Sequence, residues 1–110
     1  MAQACAGLDR PVIACFGLTY KPDVDDIRES PALRVVELLA SQGQGPIVVV
    51  DPFVSALPAS LADRGVALLT TGLALERADV IVLLVHHRCF IALEKSLLRD
   101  KRVVDTRGVW

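Results

Sequence analysis

Short apolar runs alternate with polar segments along the chain. Residues 11–16, 47–50 and 80–85 form uncharged runs that are rich in Val, Ile and Leu. Runs of this length and composition predict strands that are buried on both faces of a sheet. Weaker apolar stretches at residues 66–69 and 102–104 predict a short edge strand and a last strand.

A helix is predicted directly after the first loop. Ser30 can cap the free N–H groups of a first turn, and Pro31 fits that turn because its missing N–H costs nothing there. Gly43 predicts the end of the helix. The apolar residues between them recur with helical spacing and predict one buried face: Ala32, Val35, Val36, Leu39 and Ala40.

Strands and helices therefore alternate along the chain. Thr71 is expected to cap a short helix over residues 72–78, and residues 90–98 predict another helix. This alternation predicts an α/β fold, a three-layer Rossmann-like open parallel sheet. A chain of 110 residues is long enough for a single domain. We expect residues 1–10 to be a lead-in and residues 11–110 to form the domain.

Ligands of open parallel sheets bind beyond the carboxyl ends of the strands. The polar residues that follow the predicted strands should therefore converge on one edge. The alternative is that these loops are polar only because they are loops. The residues concerned are Thr19, Tyr20, Lys21, Asp51, His86, His87, Asp105, Thr106 and Arg107.

Bulk properties exclude several classes of partner. The net charge of −1 predicts no general attraction to nucleic acid or to anionic membranes, and no apolar run has the length of a membrane helix. The first ten residues do not resemble a signal peptide. Cys5, Cys15 and Cys89 are too irregular for a disulfide framework or a zinc site, which favours a reduced cytoplasmic setting. We expect Cys15 and Cys89 to be inert packing residues.

The first strand leads to Gly17 but not to a G-x-G-x-x-G run. A bound phosphate would therefore depend mainly on side chains. Lys21 and Arg28 are the candidates, since one offers a compact charge and the other a planar fork for phosphate oxygens. The alternative is a solvated loop in which these cations pair with neighbouring carboxylates.

Two further clusters are candidates for chemistry. Asp23, Asp25 and Asp26 resemble a hard-cation site, but they lack the glycine and the distant glutamate of a calcium loop, and we predict no metal. His86 and His87 follow the central strand and are candidates for a base or for ligands. Successive strand residues face opposite sides, so at least one of them is expected to be a structural histidine bonded to the backbone.

The segment GLTYKPDVDDIRESPAL, residues 17–33, resembles the pattern G-L-x-[FY]-K-x-x-x-D-D-x-R-x-S-P-A of UDP-glucose, UDP-N-acetylmannosamine and GDP-mannose dehydrogenases. VVVDP, ADVIVLLVHHRCF and the closing VVDTRGVW agree with the same family. The resemblance covers nearly all of residues 12–110, and the ending is most similar to the UDP-N-acetylmannosamine dehydrogenase branch.

The resemblance implies an enzyme that oxidises the C6 alcohol of a UDP-sugar twice with NAD, in the biosynthesis of polysaccharides. It implies an N-terminal NAD-binding domain, a central dimerisation region with a catalytic cysteine, and a C-terminal UDP-binding domain, to which residues 11–110 correspond. Tyr20 and Lys21 correspond to residues that hold the substrate, and Arg107 to a residue that contacts the nucleotide. Arg28 corresponds to the arginine that reaches the NAD pyrophosphate.

The chain also departs from the family pattern. It has no G-x-G-x-x-G unit, no central helical segment and no cysteine in the catalytic context, since Cys5 lies in AQACAG. We therefore expect no catalytic residue here and no dehydrogenase activity from this chain alone, as for an excised domain or a truncated product. The alternative is a free-standing nucleotide-binding or regulatory module.

Overall fold

The computed structural model describes residues 7, 9–23, 26–28 and 30–110. Its centre is a five-stranded sheet in which each pair of neighbouring strands is parallel. The strand order is β3-β2-β1-β4-β5. The strands are β1 (Ile13–Phe16), β2 (Ile47–Val50), β3 (Ala67–Leu68), β4 (Val80–Leu83) and β5 (Arg102–Asp105).

Helices cover both faces of this sheet. One apolar layer joins Val36 and Leu39 of α1 and Leu61 of α2 to one face of the central strands. The other layer joins Ala74 and Phe90, of α3 and α4, to the opposite face. The helices are α1 (Pro31–Gln42), α2 (Ala59–Ala62), α3 (Thr71–Arg77) and α4 (Arg88–Ile91), with a 3₁₀ turn at Lys95–Leu98. The predicted three-layer parallel α/β architecture is confirmed.

The first helix begins and ends as predicted. The Ser30 hydroxyl accepts the N–H of Leu33 at 3.3 Å, and Gly43 closes the helix with a φ of 67°. The hydroxyl also donates to the Leu18 carbonyl at 2.7 Å, which fixes the helix start to the end of β1. Val35 was wrongly assigned to the buried face. It lies beside the buried stripe and is 37% exposed.

Three other predicted boundaries were wrong. In place of one helix over residues 90–98, the chain forms α4 at Arg88–Ile91 and a separate 3₁₀ turn at Lys95–Leu98. The helix is interrupted because Phe90 and Leu98 are both buried against the sheet, and the chain must turn between them. Thr70, not Thr71, caps α3 by accepting the Leu73 N–H at 3.3 Å. Strand β4 ends at Leu83, although residues 84 and 85 remain buried.

Helix α2 was not predicted. It is a single turn that follows Pro58 and buries Leu61 alone, so it shows no apolar periodicity in the sequence.

Gly17 allows the chain to leave β1 close to the end of β4. Its φ is +102°, a conformation that residues with a side chain rarely adopt. A Cβ added there would lie 2.5 Å from the Cβ of Val85. Val85 is buried, so it has little room to move away.

We expect Gly17→Ala to lower the free energy of unfolding by at least about 2 kcal/mol, through backbone strain and the clash with Val85. Gly72→Ala is the matched control, because nothing lies within 4 Å of its added Cβ. That change should be neutral or stabilising. Urea unfolding followed by circular dichroism measures both, and equal stability of the two variants would contradict this account.

Candidate functional site

The buried polar and charged residues of the described part of the chain lie at the carboxyl edge of the sheet or bond to it: Thr19, Ser30, Asp51 and His87. A cavity of about 100 Å³ opens at the same edge. It is lined by Thr19, Tyr20, Lys21, Pro22, Pro31, Ala32, Val85, His86 and Arg107. The predicted convergence of the loops that follow β1, β4 and β5 is confirmed. The cavity brings together the three predicted substrate residues, Tyr20, Lys21 and Arg107.

Tyr20 and Lys21 supply an aromatic ring and an ammonium group at the cavity. Both residues are exposed, and the Lys21 Nζ lies 5.9 Å from the centre of the Tyr20 ring. The Tyr20 N–H donates to the Asp26 carbonyl at 2.7 Å, which folds the loop back on itself. No carboxylate pairs with Lys21 among the residues that the structure describes. Lys21 therefore brings a positive charge to the cavity.

Arg107 is held by the turn that follows β5. The Asp105 carboxylate accepts the N–H groups of Arg107 at 2.9 Å, Gly108 at 2.8 Å and Trp110 at 2.8 Å. Burial alone raises the pKa of Asp105, but these backbone hydrogen bonds outweigh it and lower the pKa. The Arg107 Nε donates to the Leu84 carbonyl at 2.9 Å. Arg107 also borders a neighbouring cavity of about 250 Å³, so its side chain lies between two openings.

His86 has an unused polar atom at the cavity. Its Nδ1 is buried and has no hydrogen-bond partner among the described residues. Buried polar atoms without partners are rare in folded proteins and call for an explanation. A ligand in the cavity lined by His86 can supply the missing partner. The sequence alone could not assign a role to His86, because the HH pair does not show which ring faces the cavity.

Arg28 is not part of the cavity. Its guanidinium is 87% exposed and pairs with the Asp26 carboxylate, through Nε to Oδ1 at 3.1 Å and Nη2 to Oδ2 at 3.1 Å. The hydrogen bond from Arg28 lowers the pKa of Asp26, and the same bond raises the pKa of Arg28. Pairing within the loop is thus observed for Arg28 but not for Lys21, and the two cations belong to different surroundings.

Asp51 follows β2 and accepts four hydrogen bonds in a buried position. Its Oδ2 accepts the N–H groups of Leu18 at 2.7 Å and Thr19 at 3.3 Å, and Oδ1 accepts that of Phe53 at 2.9 Å. The Nε2 of His87 lies 2.9 Å from Oδ2. Burial raises the pKa of Asp51, but the hydrogen bonds from His87 and the backbone outweigh it and lower the pKa. Asp51 therefore stabilises the fold above the ordinary aspartate range, and this contribution is lost as the pH falls through the lowered pKa.

His87 is the structural histidine of the predicted pair. Its side chain is fully buried, and Nδ1 accepts the Asp23 N–H at 2.8 Å. The sequence offered only a weak indication of its link to Asp51, namely two polar residues that directly follow two buried strands.

The aspartates of the loop form no metal centre in the described part of the chain, where no group of three potential ligands occurs. Asp23 instead accepts the Arg88 N–H at 3.0 Å, and Arg88 Nε lies 3.5 Å from its other oxygen. Asp25 lies outside the described residues.

The two cysteines that the structure describes differ in exposure. Cys15 is buried, and burial raises the pKa of its thiol to about 12, as expected for an inert packing residue. Cys89 is exposed, so its assignment as a packing residue was wrong. Desolvation and the nearby Asp51 charge raise the pKa of Cys89. Cys5 lies outside the described residues.

None of the described helices is long and apolar enough to cross a membrane.

We expect Asp105→Ala to loosen the turn that holds Arg107. Trp110, the single tryptophan, reports on this turn because its Nε1 donates to the Phe90 carbonyl at 2.8 Å and its ring lies 5.9 Å from that of Phe16. The emission maximum of Trp110 should shift to longer wavelength as water reaches the indole. Asp100→Ala, in the exposed turn before β5, is the control and should leave the emission unchanged. Identical spectra of the two variants would show that Asp105 does not hold the turn.

Comparisons with known proteins agree with this architecture. Residues 14–110 match the model of the UDP-glucose/GDP-mannose dehydrogenase family, UDP binding domain. The chain is 47% identical over 108 residues to an NDP-N-acetyl-D-galactosaminuronic acid dehydrogenase of Ralstonia nicotianae, covering 98% of this chain and 25% of the relative. It is 49% identical over 98 residues to a UDP-N-acetyl-D-mannosamine dehydrogenase of Yersinia pestis, covering 89% of this chain and 23% of the relative.

A solved UDP-glucose dehydrogenase from Pyrobaculum islandicum has a similar fold, with a TM-score of 0.76 and 28% identity. The similarity covers 98% of this chain and 24% of that structure. The chain thus spans about a quarter of the length of the relatives that it matches.

Proposed function

Since this chain belongs to the UDP-glucose/GDP-mannose dehydrogenase family, in which it corresponds to the UDP-binding domain, we propose that its cavity binds the nucleotide part of a UDP-sugar. The observation that carries the proposal is the meeting of Tyr20, Lys21 and Arg107 around one opening at the carboxyl edge of the sheet. Ligands of open parallel sheets bind at that edge.

The chemistry of the three side chains suits a nucleoside diphosphate. Lys21 offers an ammonium without a carboxylate partner in the described structure, and Arg107 offers the guanidinium N–H groups that Leu84 does not use. Cations of these two kinds bind phosphate oxygens. The half-exposed ring of Tyr20 provides an aromatic face on which a planar base can stack.

The size of the cavity indicates that other parts of an enzyme complete the site. Ligand sites commonly enclose roughly 300–1,000 Å³, whereas this opening has about 100 Å³. In our proposal the domain serves an enzyme that oxidises UDP-N-acetylmannosamine or UDP-glucose to the corresponding uronate with NAD. An NAD-binding domain and a central dimerisation region then cover the opening. In this proposal the 110-residue chain binds without catalysing oxidation by itself, and the raised pKa values of the two described thiols, Cys15 and Cys89, fit that role.

NAD, in this proposal, meets the domain through Arg28. The fit is partial. The guanidinium is exposed and carries five N–H donors, two of which are used in the bonds to Asp26. Donors thus remain for a pyrophosphate oxygen that approaches from outside. NAD supplies the hydride acceptor when bound, and Arg28 contributes only charge and hydrogen bonds to it.

A cytoplasmic location is also part of the proposal. Its support is that the described cysteines, Cys15 and Cys89, carry free thiols, as is usual for proteins in reducing surroundings.

Isothermal titration calorimetry with UDP, GDP, UDP-glucose and UDP-N-acetylmannosamine tests the main proposal. We expect weak binding of UDP, with a dissociation constant between about 0.1 and 1 mM, because the opening is small, at about 100 Å³. Lys21→Ala should weaken this binding at least about tenfold, because a hydrogen bond to a charged group contributes about 1.5–3 kcal/mol. Lys95→Ala is the matched control, since Lys95 is an exposed lysine outside the cavity. Absence of UDP binding at millimolar concentration would refute the proposed site, although membership of the family would stand.

Arg28→Ala distinguishes the proposed role of Arg28 towards NAD from the proposed role of Lys21 towards UDP. We expect it to change the UDP affinity less than twofold, because Arg28 does not line the cavity. The same calorimetry measures this, with Lys21→Ala as the contrasting variant. A loss of UDP affinity equal to that of Lys21→Ala would assign Arg28 to the nucleotide instead of to NAD.

A further inference from the structure

The loop that carries Lys21 is attached to a buried network which the proposed site does not itself use. Thr19, two residues before Lys21, donates its hydroxyl hydrogen to the Lys21 carbonyl at 2.8 Å. The Thr19 N–H bonds to Asp51, and the Asp23 N–H bonds to His87. The segment is thus held on both sides of Lys21 by one buried Asp–His pair.

The hydrogen-bond pattern fixes the proton on His87. The Nδ1 accepts the Asp23 N–H at 2.8 Å, so it carries no hydrogen of its own. The ring hydrogen is therefore on Nε2, which donates to the Asp51 Oδ2 at 2.9 Å. Thr19 Oγ1 lies 3.3 Å from the same nitrogen, and it can accept because its own hydrogen is used at Lys21. Every bond is satisfied only by the neutral Nε2–H form.

We propose that Asp51 and His87 are a proton-sensitive positioning pair, in which neutral His87 holds the Lys21 segment ready for the nucleotide and protonated His87 releases it. This inference rests on the proposed function of Lys21. Neither residue lines the cavity, so each acts through the loop and not by contact with a ligand.

Protonation changes the pattern at one place. An imidazolium has hydrogens on both nitrogens, and the hydrogen on Nδ1 would then face the Asp23 N–H across 2.8 Å. Two donors repel each other at this distance, so the bond that holds the far side of the segment is lost. Asp51 keeps its bond to Nε2, because a carboxylate accepts from the charged ring at least as well.

The charged groups around His87 determine which contacts the protonated ring can make. Asp51 follows β2, and the Asp23 carboxylate lies 3.9 Å from Nδ1. Arg88 of α4 holds that carboxylate with its backbone N–H and its guanidinium, and the Cys89 thiol lies close enough to sense Asp51. Arg88 holds the Asp23 carboxylate, whose nearer oxygen lies 3.9 Å from Nδ1, beyond hydrogen-bond distance, so the carboxylate does not replace the lost bond of the Asp23 N–H. The aromatic rings of Phe53 and Phe90 enclose the remaining sides.

Calorimetry with UDP-glucose from pH 8 to pH 5 tests the inference. UDP-glucose is the right probe, because its diphosphate has no free terminal phosphate group that titrates in this range, whereas a terminal phosphate has a second pKa near 6. We expect the affinity of the 110-residue chain to fall at least fivefold as the pH is lowered. His87→Gln should bind about fivefold more weakly at pH 8 and show no dependence on pH, since an amide does not titrate. Lys95→Ala, at an exposed position outside the cavity, is the control and should retain the pH dependence of the native chain.

Nitrogen-15 NMR of the unliganded native chain gives an independent measurement that does not need the variants to fold. At pH 8 the His87 ring should show the Nε2–H form, and the Asp23 amide shift should follow the titration of His87. An Nδ1–H form at pH 8, an Asp23 amide shift that does not follow the His87 ring, or a pH dependence that persists in His87→Gln would each overturn the inference. If UDP-glucose fails to bind at any pH, the proposed function fails, and the NMR result alone decides the state of the pair.

Discussion

A single buried carboxylate joins three strands at the edge where the site lies. Asp51 follows β2. Its carboxylate accepts hydrogen bonds from two N–H groups just after β1 and contacts the ring of His87, which follows β4. A buried charge without partners costs several kcal/mol, so the sequence must supply donors from each neighbouring segment at once. The loop after β1 and the loop after β4 are consequently fixed in one arrangement.

Several residues of the segment 17–33, which matches the family pattern, hold the loop after β1 in this arrangement. Gly17 permits the close exit from β1, Leu18 is bonded to both Asp51 and Ser30, and Ser30 starts α1. The loop is therefore pinned at both ends, and between them Tyr20, Lys21 and Arg28 are exposed. The two pinned ends restrict where the exposed cations Lys21 and Arg28 can lie.

The sequence was sufficient to predict the central strands and the edge on which their polar residues meet. A strand buried on both faces is recognisable as a continuous apolar run, and parallel topology then brings the residues after each strand together. Boundaries that depend on long-range packing were missed, as at residues 90–98, where Phe90 and Leu98 both have to reach the sheet. The Asp51–His87 bond joins residues 36 positions apart, and no local sequence pattern predicts such a pair.

The resemblance of the loop to the family pattern suggested roles for Lys21 and Arg28, but local electrostatics distinguishes them. Arg28 is neutralised by Asp26 two residues away, whereas Lys21 lies beside an aromatic ring and the opening. An exposed ion pair contributes little to stability, so the Asp26 partner mainly limits the directions that Arg28 can take. A cation restrained in this way suits a ligand that arrives with another domain. Lys21, which has no carboxylate partner among the described residues, suits a ligand that binds at the sheet edge.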